Sequence, residues 1–251
     1  MAEALRRLIV GNWKMNAPQA GGAALAADVA ARVRGAETLK CDVVLCPPAV
    51  HLSTVIAVVA GGDVAVGAQD CHAEENGAHT GDLSAEMLAG AGCAYVLVGH
   101  SERRADHGES DTMVLAKAQA AHRAGLTAIV CVGESAAERD ANATLEVVAC
   151  QVAASLPAGA TAANTVVAYE PVWAIGSGRT PTAAEIGEVH RHLRACLAAA
   201  LADAHMVRLL YGGSVKADNA ADLLAADDVN GALVGGASLD ANAFWGIIAA
   251  A

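Results

Sequence analysis

The sequence predicts a closed barrel of eight parallel β-strands wrapped by helices, and three observations carry that prediction. The chain has 251 residues, 55% of them apolar, enough to bury one large core within the size range of a single (β/α)8 domain spanning residues 1–251. Eight short Val-, Ile- and Leu-rich runs recur along it, separated by Ala-rich helical pattern. Polar residues and glycines cluster just after those runs.

Taken in order, the runs are Leu8 to Val10, Asp42 to Leu45, Val64 to Val66, Tyr95 to Val98, Thr127 to Val132, Thr165 to Tyr169, Val207 to Tyr211 and Ala232 to Val234. None shows the apolar/polar alternation of a sheet with one wet face, so each reads as a parallel strand covered on both sides. Between the fourth and fifth runs a helical pattern extends from Asp111 to Ala124 and stops at Gly125. After the sixth, Thr182 and Glu185 form a capping box just past Pro181. A doubly wound open sheet fits the same alternation, because strand order is not written in the pattern.

In a parallel barrel the loops after the strands surround one mouth. The first run is followed by Asn12 and Lys14, the fourth by His100 and Glu102, the fifth by Glu134 and the sixth by Glu170. Gly212 to Ser214 follow the seventh and Gly235 to Ser238 the eighth. Residues spread over more than 200 positions would therefore meet at one substrate.

Charge and cysteine usage narrow the function. A formal net charge of −11 excludes the basic stripe of a nucleic-acid binder; an anionic ligand would have to be held by local backbone dipoles and a few placed cations. Seven cysteines without a CxxC pair read as buried thiols in a reducing compartment, and the N-terminal stretch with Glu3 is a poor secretory signal. A cytoplasmic location is expected. The two long uncharged stretches, Val43 to Gly62 and Val147 to Tyr169, are interrupted by Pro48 and His51, and by Gln151 and Pro157, and are not credible membrane spans.

Several motifs are specific. GNWKMN at Gly11 to Asn16, NGAHTGDLS at Asn76 to Ser84, VGHSERR at Val98 to Arg104, CVGE at Cys131 to Glu134, AYEPVWAIGSG at Ala168 to Gly178, YGGSV at Tyr211 to Val215 and LVGGASL at Leu233 to Leu239 together resemble the triosephosphate isomerase family over the whole chain and in its order. The resemblance implies the family's TIM barrel and a proton-transfer isomerase of triose phosphates, acting in glycolysis and gluconeogenesis without cofactor or metal. It implies Glu170 as the base, His100 as a neutral electrophile at a helix start, and Lys14 and Asn12 beside the substrate oxygens. Gly176, Ser214, Gly235 and Gly236 match the positions whose backbone amides surround the phosphate.

The residues themselves refine that picture. Pro171 restricts Glu170 to an extended backbone. A water-poor pocket, with Ile175 and Leu233 as its candidate walls, would raise the carboxyl pKa toward neutrality. Glu102 is read two ways, as a first-turn partner of the helix dipole or as a contact of Lys14. By resemblance, the segment Pro171 to Thr180 is a closing lid with Trp173 as its anchor meeting Glu134. Ser177 and Arg179 there replace the commoner Thr and Lys. Also by resemblance, the loop Gln69 to Gly81 inserts into a second subunit and makes a homodimer, with Thr80 at its tip. His79 stands where an apolar aromatic residue is usual. It is either an exposed ring without effect or an interface group whose protonation opposes association.

Other chemistries fit less well. A retaining glycosidase would want a second carboxylate after the seventh strand, and YGGSV offers none. A Schiff-base aldolase would want a strand-end lysine in an apolar pocket, for which only Lys14 stands in position. His190 and His192, two apart, do not share a helical face for a metal. A paralogous isomerase of a four-carbon sugar phosphate and a non-catalytic phosphate-binding scaffold stay open as alternatives.

Overall fold

A computed structural model describes residues 5–16, 19–175 and 180–251. Eight strands, β1 (Arg7–Asn12), β2 (Cys41–Cys46), β3 (Val64–Ala68), β4 (Tyr95–Val98), β5 (Thr127–Val132), β6 (Thr165–Tyr169), β7 (Arg208–Tyr211) and β8 (Gly231–Val234), pair in sequence order. All pairings are parallel, and β8 closes on β1 through Val10↔Leu233 and its neighbours. That closure removes the open-sheet alternative. β4, β5 and β6 coincide with the apolar runs, whereas the first run lengthens so that Asn12 is the last strand residue instead of lying beyond the strand. The seventh begins one residue late, at Arg208.

Both faces of the sheet are buried, which is why the strands lack polar alternation. Leu8, Val10, Val44, Leu97, Ile129 and Val166 belong to the cluster that fills the barrel interior. The residues between them, such as Ile9, Val43, Leu45, Val130 and Val167, pack outward with helix residues such as Val29, Val33 and Leu88. Removing any one of the larger buried side chains leaves a cavity, at a cost of about 2–5 kcal/mol.

The helices are α1 (Gln19–Gly35), α2 (Leu52–Val59), α3 (Ala85–Ala91), α4 (Ser101–His107), α5 (Asp111–Arg123), α6 (Ala136–Asp140), α7 (Thr144–Ser155), α8 (Ala183–Ala200), α9 (Ala220–Leu224) and α10 (Ala241–Ala249). The capping box of Thr182 and Glu185 forms as expected at the start of α8. A second, Ser135 with Glu138, opens α6 and was not anticipated. Gly125, with φ +77°, follows the C-cap of α5 in a left-handed conformation, the geometry for which glycine is favoured. No helix among the described residues is long and apolar enough to cross a membrane.

Candidate active site

The carboxyl-terminal ends of the strands open onto a cavity of about 490 Å³ lined by Asn12, Lys14, His100 and Glu170, with Ile175, Leu233 and the glycine-rich segments after β7 and β8. The expected catalytic residues therefore reach one mouth, whereas Glu102 and Glu134 do not line this cavity. Ser214, Gly235 and Gly236 line the same cavity, and Gly235 caps a short 3-10 turn that Gly236 begins. Gly176, Ser177, Gly178 and Arg179 lie outside the described residues.

β4 ends at Val98, and Gly99, with φ +67°, turns the chain so that His100 becomes the N-cap of α4. A Cβ at Gly99 would meet Val114 at 2.7 Å, so the turn tolerates no side chain. The Nδ1 of His100 accepts the backbone N–H of Glu102 at 3.2 Å. The ring hydrogen therefore resides on Nε2, which lies 2.8 Å from Glu170 Oε1. The Nε2–H is thereby aimed at the base.

Glu170 follows β6 and is 2% exposed. The Ser101 backbone N–H donates to its Oε2 at 3.0 Å and the Ser101 hydroxyl to its Oε1 at 3.3 Å. Burial pushes its carboxyl up, but His100, the Ser101 N–H and the Lys14 charge together hold it below the usual carboxylate range. The expected upward shift is thus overturned in this arrangement: desolvation acts with the expected sign, and the charge interaction and hydrogen bond with His100, joined by the Ser101 N–H and Lys14, outweigh it. For His100 burial acts downward, and the neighbouring Glu170 carboxylate reverses it to a net upward shift. Withdrawing Glu170 from this pair would remove the largest upward influence on His100, leaving burial to lower it against the smaller pull of Glu102.

Lys14 takes φ +50°, an uncommon angle for a side-chain-bearing residue. Two contacts hold it there: its N–H donates to Asn12 Oδ1 at 3.0 Å, and its carbonyl accepts from Gln69 Nε2 at 2.8 Å. Because β1 ends at Asn12, Lys14 lies beyond the strand and does not share a strand face with Asn12. Lys14 Nζ pairs with Glu102, which is also in the first turn of α4, so both readings of Glu102 hold together. Ser101, Gln69 and the exposed Lys216, which lines the same mouth, were not picked out from the sequence. The position of Ser101 beside His100 and of Gln69 directly after β3 were the available signals.

The 3-10 turn Val172–Ala174 brings Trp173 against Glu134. Glu134 is fully buried, and its Oε1 accepts from Trp173 Nε1 at 2.8 Å, Tyr169 hydroxyl at 3.1 Å and Thr144 hydroxyl at 3.2 Å. The Arg139 guanidinium lies 5.2 Å from the Trp173 ring centre.

His190 is a buried core residue whose Nδ1 meets the Asp228 carbonyl at 3.2 Å. Elsewhere, His72, His79 and Asp82 each bring a ligand-type atom within 4.8 Å of the others. Nδ1 of His72 already accepts the Glu74 backbone N–H at 3.0 Å. Its neutral ring then carries a hydrogen on Nε2 and offers no lone pair there to a cation.

Acid–base chemistry on a small anion, carried out at the mouth of a (β/α)8 barrel, is the class these residues define. The family model described as triosephosphate isomerase matches residues 7–251. A triosephosphate isomerase of Rhodopseudomonas palustris (strain BisA53) is 58% identical over 254 residues, covering 99% of each chain. One of Bradyrhizobium diazoefficiens is 54% identical and covers 98% of each. A crystal structure of triosephosphate isomerase from Bartonella henselae superimposes with a TM-score of 0.90 at 44% identity, covering 98% of each chain. The chain belongs to the triosephosphate isomerase family.

Proposed function

We propose that this chain interconverts dihydroxyacetone phosphate and D-glyceraldehyde 3-phosphate through an enediolate. Glu170 takes the proton from the carbon beside the carbonyl and returns it to the neighbouring carbon. The Nε2–H of His100 donates to the two substrate oxygens in turn, and Asn12 and Lys14 stabilise the charge that develops there. Backbone amides of Ser214, Gly235, Gly236 and Gly176 receive the phosphate. Atoms balance without a cofactor: the proton removed from one carbon is restored to the next, and His100 gives a proton to the carbonyl oxygen and takes one back from the neighbouring hydroxyl.

The observation that carries this reading is the 2.8 Å approach of His100 Nε2 to Glu170 Oε1 inside the cavity that the glycine segments also line. Base and electrophile are within reach of one small substrate. The lysine beside them favours an anion, and full-length relatives named triosephosphate isomerase support the three-carbon substrate over a four-carbon one or a scaffold role. A coupled assay comparing three- and four-carbon sugar phosphates tests it; preference for the four-carbon substrate would overturn the assignment.

The whole chain acts, in this proposal, as one domain in the cytoplasm, with its cysteines reduced, five of them buried. It pairs as a C2 homodimer through the loop Gln69 to Gly81. Glu74 to Gly81 are exposed, while the base of the loop is pinned by His72 N–H to the Leu83 carbonyl at 2.8 Å and by Asp82 N–H to the His79 carbonyl at 3.0 Å. His72 and His79 stack with ring centres 3.9 Å apart. A braced, exposed loop suits insertion into a second copy.

A further inference from the structure

The barrel's ladder is incomplete beside the base. β4 pairs with β5 only as far as Val98↔Val130, because Gly99 then turns away to place His100. β5 continues to Val132, paired on its other edge with β6 through Cys131↔Ala168 and Val132↔Tyr169. On that edge the ladder runs on past the strands: the Glu170 N–H donates to the Val132 carbonyl at 2.8 Å and the Val172 N–H to the Glu134 carbonyl at 3.2 Å. On the β4 edge, side chains replace the missing strand. Arg104 Nη2 donates to the Cys131 carbonyl at 3.2 Å. Gln151, from α7, takes both backbone groups of Gly133: its Oε1 accepts the N–H at 2.7 Å and its Nε2 donates to the carbonyl at 3.1 Å.

Gly133 is the residue on which the base rests. A Cβ there would fall 1.8 Å from the Glu170 carbonyl oxygen, so the two backbones touch directly. The next residue, Glu134, holds Trp173. A cavity of about 240 Å³ opens in the seam, lined by Gly99, Ser101, Arg104, Gly133, Gln151 and Glu170 among others. With space behind the carboxylate, little besides Gln151 restrains Gly133 on this side.

We propose that Gln151 is a positioning residue for the reaction: by clamping Gly133 it fixes the stem of Glu170 and the anchor of the lid, and so sets both turnover and retention of the intermediate. The inference rests on the reading of Glu170 as the proton carrier. Misplacing a catalytic group by about 1 Å can cost about 10²-fold in rate. Where the lid is loosened, the enediolate breaks its C–O bond to phosphate, and the product becomes methylglyoxal with free inorganic phosphate.

Gln151→Met keeps length and loses both hydrogen bonds. The expected result is a turnover per folded molecule about 10-fold lower, KM within about 2-fold, and a severalfold larger fraction of turnovers ending in inorganic phosphate. Gln151→Glu, which keeps the acceptor for the Gly133 N–H, should fall between the two and serves in its place if the Met variant does not fold. A purely structural role would lower the folded fraction and leave the phosphate-to-isomer ratio unchanged, and that outcome overturns the proposal. Glu170→Gln in parallel separates the readings. If it remains active the base assignment fails; if it is inactive while Gln151→Met matches the parent, only the role of Gln151 fails.

Discussion

Trp173 Nε1 and Glu134 Oε1 lie 2.8 Å apart, and this contact ties the turn after β6, where a closing lid is proposed to begin, to the loop after β5. The same oxygen also receives Tyr169 and Thr144, so removing Trp173's donor leaves the buried carboxylate with two partners. Trp173→Phe should therefore fold, and isomerise, while releasing more methylglyoxal and phosphate than the parent. Simultaneous assay of isomer and inorganic phosphate checks this. Slower isomerisation with no rise in phosphate would refute a protective role for the anchor.

His190 makes stability depend on pH. Burial lowers its pKa from the ordinary value to about 4, against a weaker upward pull from the Asp228 carbonyl. The unfolded chain, with a value near 6.5, binds the proton more readily, so this contribution is complete above about pH 6.5 and is lost as pH falls toward 4. At pH 5 the loss is about 2 kcal/mol. Urea unfolding at fixed protein concentration, at pH 7.5 and 5, should show that difference shrink in His190→Met. An unchanged pH dependence in the variant would place its origin elsewhere.

Arg194 gathers the amino-terminal ends of β7 and β8. Its guanidinium donates to Asp228 Oδ1 at 2.9 Å, to the Ala204 and Val207 carbonyls, and to Asn230 Oδ1 at 2.6 Å. A lysine cannot reproduce that fork. Arg194→Lys should cost about 2–3 kcal/mol in unfolding free energy and leave turnover per folded molecule unchanged, since these contacts sit at the opposite end of the barrel from the catalytic mouth. A fall in turnover at full folding would contradict the separation of stability from chemistry.

Thr80 is exposed in the loop 69–81. If that loop seats in a second copy, Thr80→Arg should halve the sedimenting mass and lower activity without changing the barrel's far-ultraviolet signature. A dimer that survives the arginine would move the interface to another surface.

The strands were legible because burial on both faces leaves an unbroken apolar run, and β4, β5 and β6 matched residue for residue. Boundaries slipped where a polar residue belongs to the ladder, as Asn12 does at the end of β1. Asn12, at the end of β1, and Lys14, His100, Glu134 and Glu170, beyond their strands, were legible because all lie at the carboxyl-terminal ends of the strands. Ser101, Gln69 and Gln151 were not. Their contacts join residues 69, 55 and 18 positions apart, and nothing in local pattern marks a glutamine that closes a gap between strands. The direction of the Glu170 shift was missed for a related reason: burial can be guessed from flanking apolar residues, whereas the His100 ring and the Ser101 N–H that oppose it meet the carboxylate only once β4 and β6 are in place.

Glu170→Gln is the most direct test of the central claim, that this carboxylate moves the proton. The amide keeps the shape of the side chain and can still meet His100 and Ser101, so the variant should unfold at nearly the parent's urea midpoint. Turnover of dihydroxyacetone phosphate to D-glyceraldehyde 3-phosphate should fall by at least about 10²-fold, the scale of a lost general base. Parental turnover from a folded Glu170→Gln protein would contradict the account.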